Sequence, residues 1–399
     1  MYVYVYVPPH PSPPLPAASS HVTLLAPAAI RTPAMLGIPY MAPLLRTPDG
    51  IDLSCYLLPQ TRETLADTYH APNRPIEDAR VALTPAASDA RATVVVFHGN
   101  SAHHWEDMVS ARDLFEMKCN VFLLSYRGYS LSGGTPSEKG LRIDAQTALD
   151  YILNQPYLRQ APIILYGHSL GGAVAIDLAS RNPSKVSPQS IPLPPSPDKT
   201  VFSIRVPGPP KISGLIVSNT FTSIPDIVRR WPYVGLFSFV CHQRWRSRAK
   251  MPCIPAKTPI LMLSGRKDEV IPPELMDRLW AAAQKRGTKR RGVVRRCVDA
   301  AKTEDTTEVG HVDDTFITIE EGTHNDTPDF PEYWAAIRAY IQRTTHRAED
   351  RPPPLETDPV PPPPPAQGVV DTRWRYVDRK LVVIEDTTEA ARPAASHWS

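Results

Sequence analysis

Cysteine, long apolar runs and a charge imbalance are all scarce in this 399-residue chain. The five cysteines, Cys55, Cys119, Cys241, Cys253 and Cys297, are scattered without CxxC spacing. An odd, sparse set argues against a disulfide framework and against a zinc site. No run approaches the roughly 18 apolar residues of a membrane-spanning helix. The opening MYVYVYV ends in Pro8-Pro9 and lacks the basic start and apolar core of a signal peptide, so a soluble chain is expected. A formal net charge of +3 leaves no electrostatic footprint for nucleic acid as the main partner. No internal repeat is visible, and nothing calls for a metal or a cofactor.

What is abundant is proline, 46 residues concentrated in Pro8 to Pro16, Pro183 to Pro210 and Pro352 to Pro365. Such stretches have the composition of linkers and disordered segments. They divide the chain into a proline-rich N-terminal segment (1–35), a folded domain (36–346) and a proline-rich, largely disordered tail (347–399). Within the folded domain, 184–211 and 284–312 look like inserted loops, the second opening with the basic run Lys285 to Arg296, expected to be solvated. In the tail, Tyr376 to Glu385 has the character of a stray strand.

Between about residues 92 and 344, short apolar runs alternate with helical patterns. The runs are Thr93–Phe97, Val121–Leu124, Ile163–Leu165, Leu215–Val217, Ile260–Leu263 and Phe316–Ile319. Continuous rather than alternating apolarity is expected of parallel strands covered on both faces. Between them, Thr135-Pro136-Ser137-Glu138 has the form of a capping box. The helix after it places Leu141, Ala145, Ala148, Leu149 and Ile152 on one face. Ala173 to Ser180 forms a second helix, and a third starts at Asp329-Phe-Pro-Glu332, burying Trp334, Ile337 and Ile341. The alternation predicts an α/β fold: a mostly parallel central sheet with helices on both faces. An antiparallel pair from Pro43 to Leu58, turning at Thr47-Pro-Asp-Gly50, is expected at its start, and 221–257 is expected to form a small helical cap.

In such sheets, reactive groups gather in loops at the carboxyl ends of the strands. Four of those loops carry chemistry: Phe97-His98-Gly99-Asn100, Gly167-His168-Ser169-Leu170-Gly171, the stretch from Ser264 to Pro273, and Glu321-Gly-Thr-His324-Asn-Asp326. Glycines around Ser169 have a purely structural explanation in close helix–strand approach. The order of the loops supplies the chemical one. Ser169 is placed as a nucleophile, His324 as its general base and Asp268 as the acceptor that fixes the imidazole tautomer. Backbone N–H groups of Asn100 and Leu170 are placed to bind an oxyanion. The order Ser…Asp…His is that of the α/β-hydrolase elbow. His98 and His168 are expected to be scaffolding of their turns, and His103 and His104 to face solvent. A nucleotide site is disfavoured, because GHSLGG is not GxGxxG and no P-loop lysine follows.

The segments HGNSAHHWEDM, LLSYRGYSLSGGTPSEKGLRIDAQTALDYI, YGHSLGGAVAIDLASRNP, VSNTFTSIPDIV, LSGRKDEVIPPELM and EEGTHNDT together resemble the fungal Bem-type α/β-hydrolases and their animal α/β-hydrolase-domain relatives. The resemblance covers about residues 36–344 apart from the insertions. It implies an α/β-hydrolase fold with Ser169, Asp268 and His324 as the triad. Relatives are described as acyl-protein (palmitoyl) thioesterases or lipid ester hydrolases. The resemblance therefore implies an acyl-lipid or lipidated-protein substrate and membrane association, at the endoplasmic reticulum or another endomembrane. Such proteins usually carry an N-terminal anchor that Met1 to Ile38 lacks; the expectation is a truncated or mis-assigned start, and otherwise a cytoplasmic protein.

The cap contributes Trp231, Tyr233, Leu236, Phe237, Phe239 and Val240, of which Trp231 and Phe237 are the expected substrate contacts of an acyl groove. The neighbouring Arg244-Trp245-Arg246-Ser-Arg248-Ala-Lys250 suits peripheral contact with an anionic membrane. Two other functions compete with acyl hydrolysis. A prolyl-type serine aminopeptidase needs a cap carboxylate for the substrate amine, and Asp226 is the one carboxylate between Phe221 and Lys257. A non-catalytic interaction protein on a hydrolase scaffold would use its proline-rich tails as ligands, but has no need of three aligned catalytic groups.

Overall fold

The runs of Val, Ile, Leu and Phe become strands because β-branched and aromatic side chains pack well on a pleated surface. The strands are β1 (Leu44–Arg46), β2 (Asp52–Leu58), β3 (Thr93–Phe97), β4 (Asn120–Leu124), β5 (Ile163–His168), β6 (Ser190–Pro192), β7 (Ser203–Arg205), β8 (Ile212–Ser218), β9 (Ile260–Gly265), β10 (Thr315–Ile319), β11 (Arg373–Val377) and β12 (Lys380–Ile384). The helices are α1 (Arg62–Leu65), α2 (His104–Glu116), α3 (Glu138–Asn154), α4 (Leu170–Arg181), α5 (Ile224–Val228), α6 (Ser247–Lys250), α7 (Pro273–Ala283) and α8 (Pro331–His346). The computed structural model describes residues 32–71, 76, 79–100, 104–183, 190–192, 203–205, 212–230, 241–287, 313–346, 373–377 and 380–384.

One sheet runs in the order β10-β9-β8-β5-β3-β4-β2-β1-β11-β12. From β10 to β4 every pairing is parallel, and β2 then pairs antiparallel with β4 and with β1. This is the expected α/β architecture, with the hairpin turning at Thr47 to Gly50. All five residues of β3 are buried, and they alternate between two cores. Val95 and Phe97 face a core built with α3, α4 and α7, while Val94 and Val96 face one built with α2 and α8. Burial on both faces is why the strand is apolar throughout. On α3, the five residues expected on one face are all buried.

Local details differ from the sequence expectations. The cap of α3 is Ser137, whose hydroxyl accepts from Gly140 N–H, rather than the Thr135 box. Glu138 is thereby the first helical residue, and its carboxylate accepts instead from the N–H groups of Arg244 and Trp245 in the cap segment. Of 221–257, the described part holds the short helices α5 and α6 and a 3-10 turn at Met251–Cys253, whereas 231–240, including Trp231 and Phe237, lies outside the described residues. Cys55, Cys119 and Cys241 are free thiols, but Cys253 is disulfide-bonded, which cysteine spacing did not suggest. Within the expected N-terminal segment, a 3-10 turn at Pro33–Leu36 leads to the fully buried Ile38. In the tail, two strands rather than one are present: β11 and β12 pair antiparallel, and β11 extends the sheet parallel to β1. Within 184–211, β6 and β7 form a separate antiparallel pair.

The second insertion leaves α7 through a buried ion pair. Arg286, expected in a solvated basic run, is 1% exposed. Its guanidinium donates to both carboxylate oxygens of Asp314, at 2.7 and 2.6 Å, and to the carbonyls of Pro255 and Thr258. Asp314 directly precedes β10, so the pair closes the neck of the insertion. No helix among the described residues is long and apolar enough to cross a membrane.

Candidate active site

β5 ends at His168 and α4 starts at Leu170, so Ser169 alone makes the turn. Its φ of 53° and ψ of −118° are strained for a residue bearing a Cβ. The surroundings hold it there. Ser169 N–H donates to the Ser218 carbonyl at 2.9 Å, and its own carbonyl accepts from Gly172 N–H and from Thr220 Oγ1 at 2.7 Å. So tight a turn brings backbones into contact. A Cβ on Gly171 would lie 1.8 Å from the Phe97 carbonyl oxygen, and one on Gly167 would lie 2.2 Å from that of Gly171. The structural explanation of these glycines is therefore correct, and it is also what presents the serine above the sheet.

His324 enters from the loop after β10, and Asp268 from the loop after β9. His324 Nε2 lies 3.0 Å from Ser169 Oγ, and Nδ1 lies 2.8 Å from Asp268 Oδ2. A carboxylate accepts only, so the proton belongs on Nδ1 and leaves Nε2 free to accept the serine proton. All three residues are buried, with exposures of 9, 7 and 6% for Ser169, Asp268 and His324. The other Asp268 oxygen accepts from the N–H groups of Val270 and Ile271 at 2.9 and 2.6 Å. One carboxylate thus caps its turn and orients the imidazole.

The turn after β3 lies against the serine: a Cβ on Gly99 would sit 3.6 Å from Ser169 Cβ. Asn100 follows, its side-chain oxygen accepting from Tyr129 Oη at 2.8 Å. Leu170 opens α4, where a backbone N–H has no carbonyl four residues back to bond. His98 is 5% exposed and sits in its turn as a scaffold. Its Nδ1 faces the Gly99 carbonyl at 2.8 Å and its Nε2 accepts from Tyr126 N–H, which sets the tautomer. His168 packs its ring 5.0 Å from that of His324, and its Nδ1 is buried with no partner among the described residues. Burial, and secondarily the nearby His324, push its pKa down to about 3. It stays neutral beside the imidazole that would gain charge.

Sequence reasoning missed Asn219. It is fully buried with φ 44°, in the turn after β8. Its amide donates to the carbonyls of Thr323 and His324 and to Thr327 Oγ1, and its side-chain oxygen accepts from Gly265 N–H. An asparagine directly after a parallel strand, where the left-handed conformation suits its short side chain, was the available signal. Among the described residues, no group of three or more His, Cys, Asp or Glu side chains converges as a metal site would.

A family profile described as "Serine aminopeptidase, S33" matches residues 88–196, which contain Ser169 but neither Asp268 nor His324. The chain is similar to the protein bem46 of Schizosaccharomyces pombe, 34% identical over 250 residues, covering 62% of this chain and 67% of bem46. It is also similar to the α/β-hydrolase domain-containing protein WAV2 of Arabidopsis thaliana, 37% identical over 202 residues, covering 47% of this chain and 56% of WAV2. Among solved structures, the Pyrococcus furiosus esterase Pf2001 matches with a TM-score of 0.49 and 16% identity, over 80% of this chain and 96% of that one.

Proposed function

Since the chain belongs to the α/β-hydrolase family that includes bem46, we propose that it is a serine hydrolase cleaving acyl ester or thioester bonds through an acyl-serine intermediate. Family membership supports hydrolysis in general. The observation that carries the serine route is the row Ser169 Oγ, His324 Nε2 and Nδ1, Asp268 Oδ2, with spacings of 3.0 and 2.8 Å.

In this reading, Ser169 Oγ attacks the acyl carbonyl while its proton passes to His324 Nε2. Asp268 stabilises the resulting imidazolium and keeps its ring in place. The carbonyl electron pair moves onto oxygen, which the N–H groups of Asn100 and Leu170 bind; one such donor is worth roughly 10²- to 10³-fold in rate. Collapse expels the alcohol or thiol, which takes the proton from His324. Water then repeats the sequence on the acyl-serine, releasing the acid and restoring Ser169.

An ester or thioester is favoured over a peptide amine because Asp226 is already occupied. Its carboxylate accepts from Thr222 Oγ1, Ser223 Oγ and Arg229, and these contacts hold its pKa below the ordinary value although burial opposes them. A free substrate amine would have to compete with a guanidinium and two hydroxyls for this carboxylate. Trp231 and Phe237 remain the proposed lining of the acyl groove. The exposed Arg244, Arg246 and Arg248 are the proposed contact with an anionic membrane surface. Flotation with phosphatidylserine vesicles but not with neutral ones is the expected result; equal behaviour removes that contact.

A fluorophosphonate probe should label the wild type at Ser169, and Ser169→Ala should abolish labelling. A folded wild type that does not label defeats the serine route. A chain-length series of acyl esters and thioesters, run beside aminoacyl amides, decides the class. Faster turnover of the amides would favour the aminopeptidase.

A further inference from the structure

We infer that Asn219 is a positioning residue that holds the loop bearing Asp268 and the loop bearing His324 in one register, so that its carboxamide sets the geometry of the Asp268–His324 pair. The inference rests on the serine-hydrolase reading for its consequence in rate, but on geometry alone for its mechanism.

Asp268 and His324 come from different strands and lie 56 residues apart. Their loops must be locked together if the 2.8 Å contact is to persist. Asn219 stands between them. Its Oδ1 accepts from Gly265 N–H at 2.8 Å, which fixes the end of β9 just before the Asp268 turn. Its Nδ2 donates to the Thr323 carbonyl at 3.1 Å, the His324 carbonyl at 3.0 Å and Thr327 Oγ1 at 3.0 Å, which fixes the His324 loop on both sides of the imidazole. The Thr327 hydroxyl in turn donates to the Thr323 carbonyl. Asn219 also donates its own N–H to the Leu263 carbonyl at 3.1 Å, so the carboxamide is anchored to the sheet.

The two loops are also in direct contact. Lys267 N–H donates to the Gly322 carbonyl at 2.9 Å, and a Cβ on Gly265 would lie 2.5 Å from that same oxygen and 2.4 Å from Thr327 Oγ1. A side chain with both a donor and an acceptor is required at this centre. The amide has both in one plane, and asparagine tolerates a φ of 44° better than other side-chain-bearing residues. Asp268 and His324 touch each other, whereas Asn219 reaches neither functional group. It acts through the backbone of the His324 loop and through Gly265, three residues before Asp268.

The test uses Asn219→Asp, which keeps the shape, the left-handed tolerance and an acceptor for Gly265 N–H, but loses the donors. Two quantities are measured on the full chain: the rate of fluorophosphonate labelling at Ser169, and the strongly downfield proton resonance of a His324 Nδ1–H held by Asp268. A displacement of about 1 Å costs on the order of 100-fold in rate. The expected result is labelling slowed on that order and loss of the downfield resonance, with circular dichroism unchanged. A folded Asn219→Asp with labelling within about twofold of wild type and an intact resonance overturns the inference. If the wild type shows the resonance but no labelling, and Asn219→Asp loses the resonance, the hydrolase reading fails while the positioning role stands. Should Asn219→Asp not fold, Thr327→Val removes one arm of the clamp. Slower labelling with a weakened resonance then supports the role, and wild-type values of both overturn it.

Discussion

His168 shows how a single side chain couples the site to stability. Its Nδ1 is enclosed, although part of the residue reaches solvent, and its pKa is pushed down to about 3 against 6.5 for a free histidine. Between those values the unfolded chain binds a proton that the folded chain refuses, so stability falls as pH falls. The slope is about 1.4 kcal/mol per pH unit. Urea midpoints taken at neutral pH and near pH 4.5 should therefore show a larger acid loss for wild type than for His168→Phe, which keeps an aromatic ring against His324. Equal acid losses would contradict a neutral, enclosed imidazole. The residue was visible in the sequence only as part of the elbow. Its burial depends on the His324 loop, which is 155 residues away from the serine it joins.

At the scale of elements, the serine elbow is a contact between β3, β5 and α4 in which glycines let backbones meet. Gly171→Ala places a methyl against the Phe97 carbonyl, which belongs to a central strand that cannot move cheaply. Overpacking of this kind costs about 3 kcal/mol or more when backbone must shift. The expected outcome is a lowered thermal midpoint together with slower labelling of Ser169, because the shift propagates to the turn. An alanine variant with wild-type midpoint and labelling would show that the approach is looser than this geometry. The strands of the central sheet were legible from their apolar runs, and so was the buried face of α3, because an unbroken apolar run and a period of 3.6 are both local properties. The cap of α3 was not. Thr135 and Ser137 both precede the helix; in the fold Ser137 takes the cap, and the Glu138 carboxylate accepts from Arg244 and Trp245, more than 100 residues away.

For the whole molecule, two buried arginines tie distant segments to the sheet. Arg127 bonds Asp49 of the hairpin turn and the fully buried Asp144 of α3. Its hydrogen bond holds the Asp49 carboxyl down at about 2, while burial pushes the Asp144 carboxyl up against the same guanidinium. Arg286 and Asp314, with side chains 0 and 3% exposed, close the neck of the second insertion between the Asp268 and His324 loops. Arg286→Met leaves Asp314 buried without its partner and should cost about 3–5 kcal/mol. The measurement is a urea unfolding midpoint, and a change below about 1 kcal/mol would place this pair with the weak surface bridges. By itself, the amino-acid sequence determined the parallel strands, the opening hairpin and the helices α3, α4 and α8, their order along the chain, and which residue types stand at the strand ends, since each of these follows from patterns within a few neighbours. Tertiary structure alone decided that Asn219 joins Gly265 to the His324 loop and that Arg286 is a buried clamp rather than a solvated cation. Those outcomes depend on groups brought together by the folding of the sheet, and on whether water or a protein atom satisfies each polar group once it is buried.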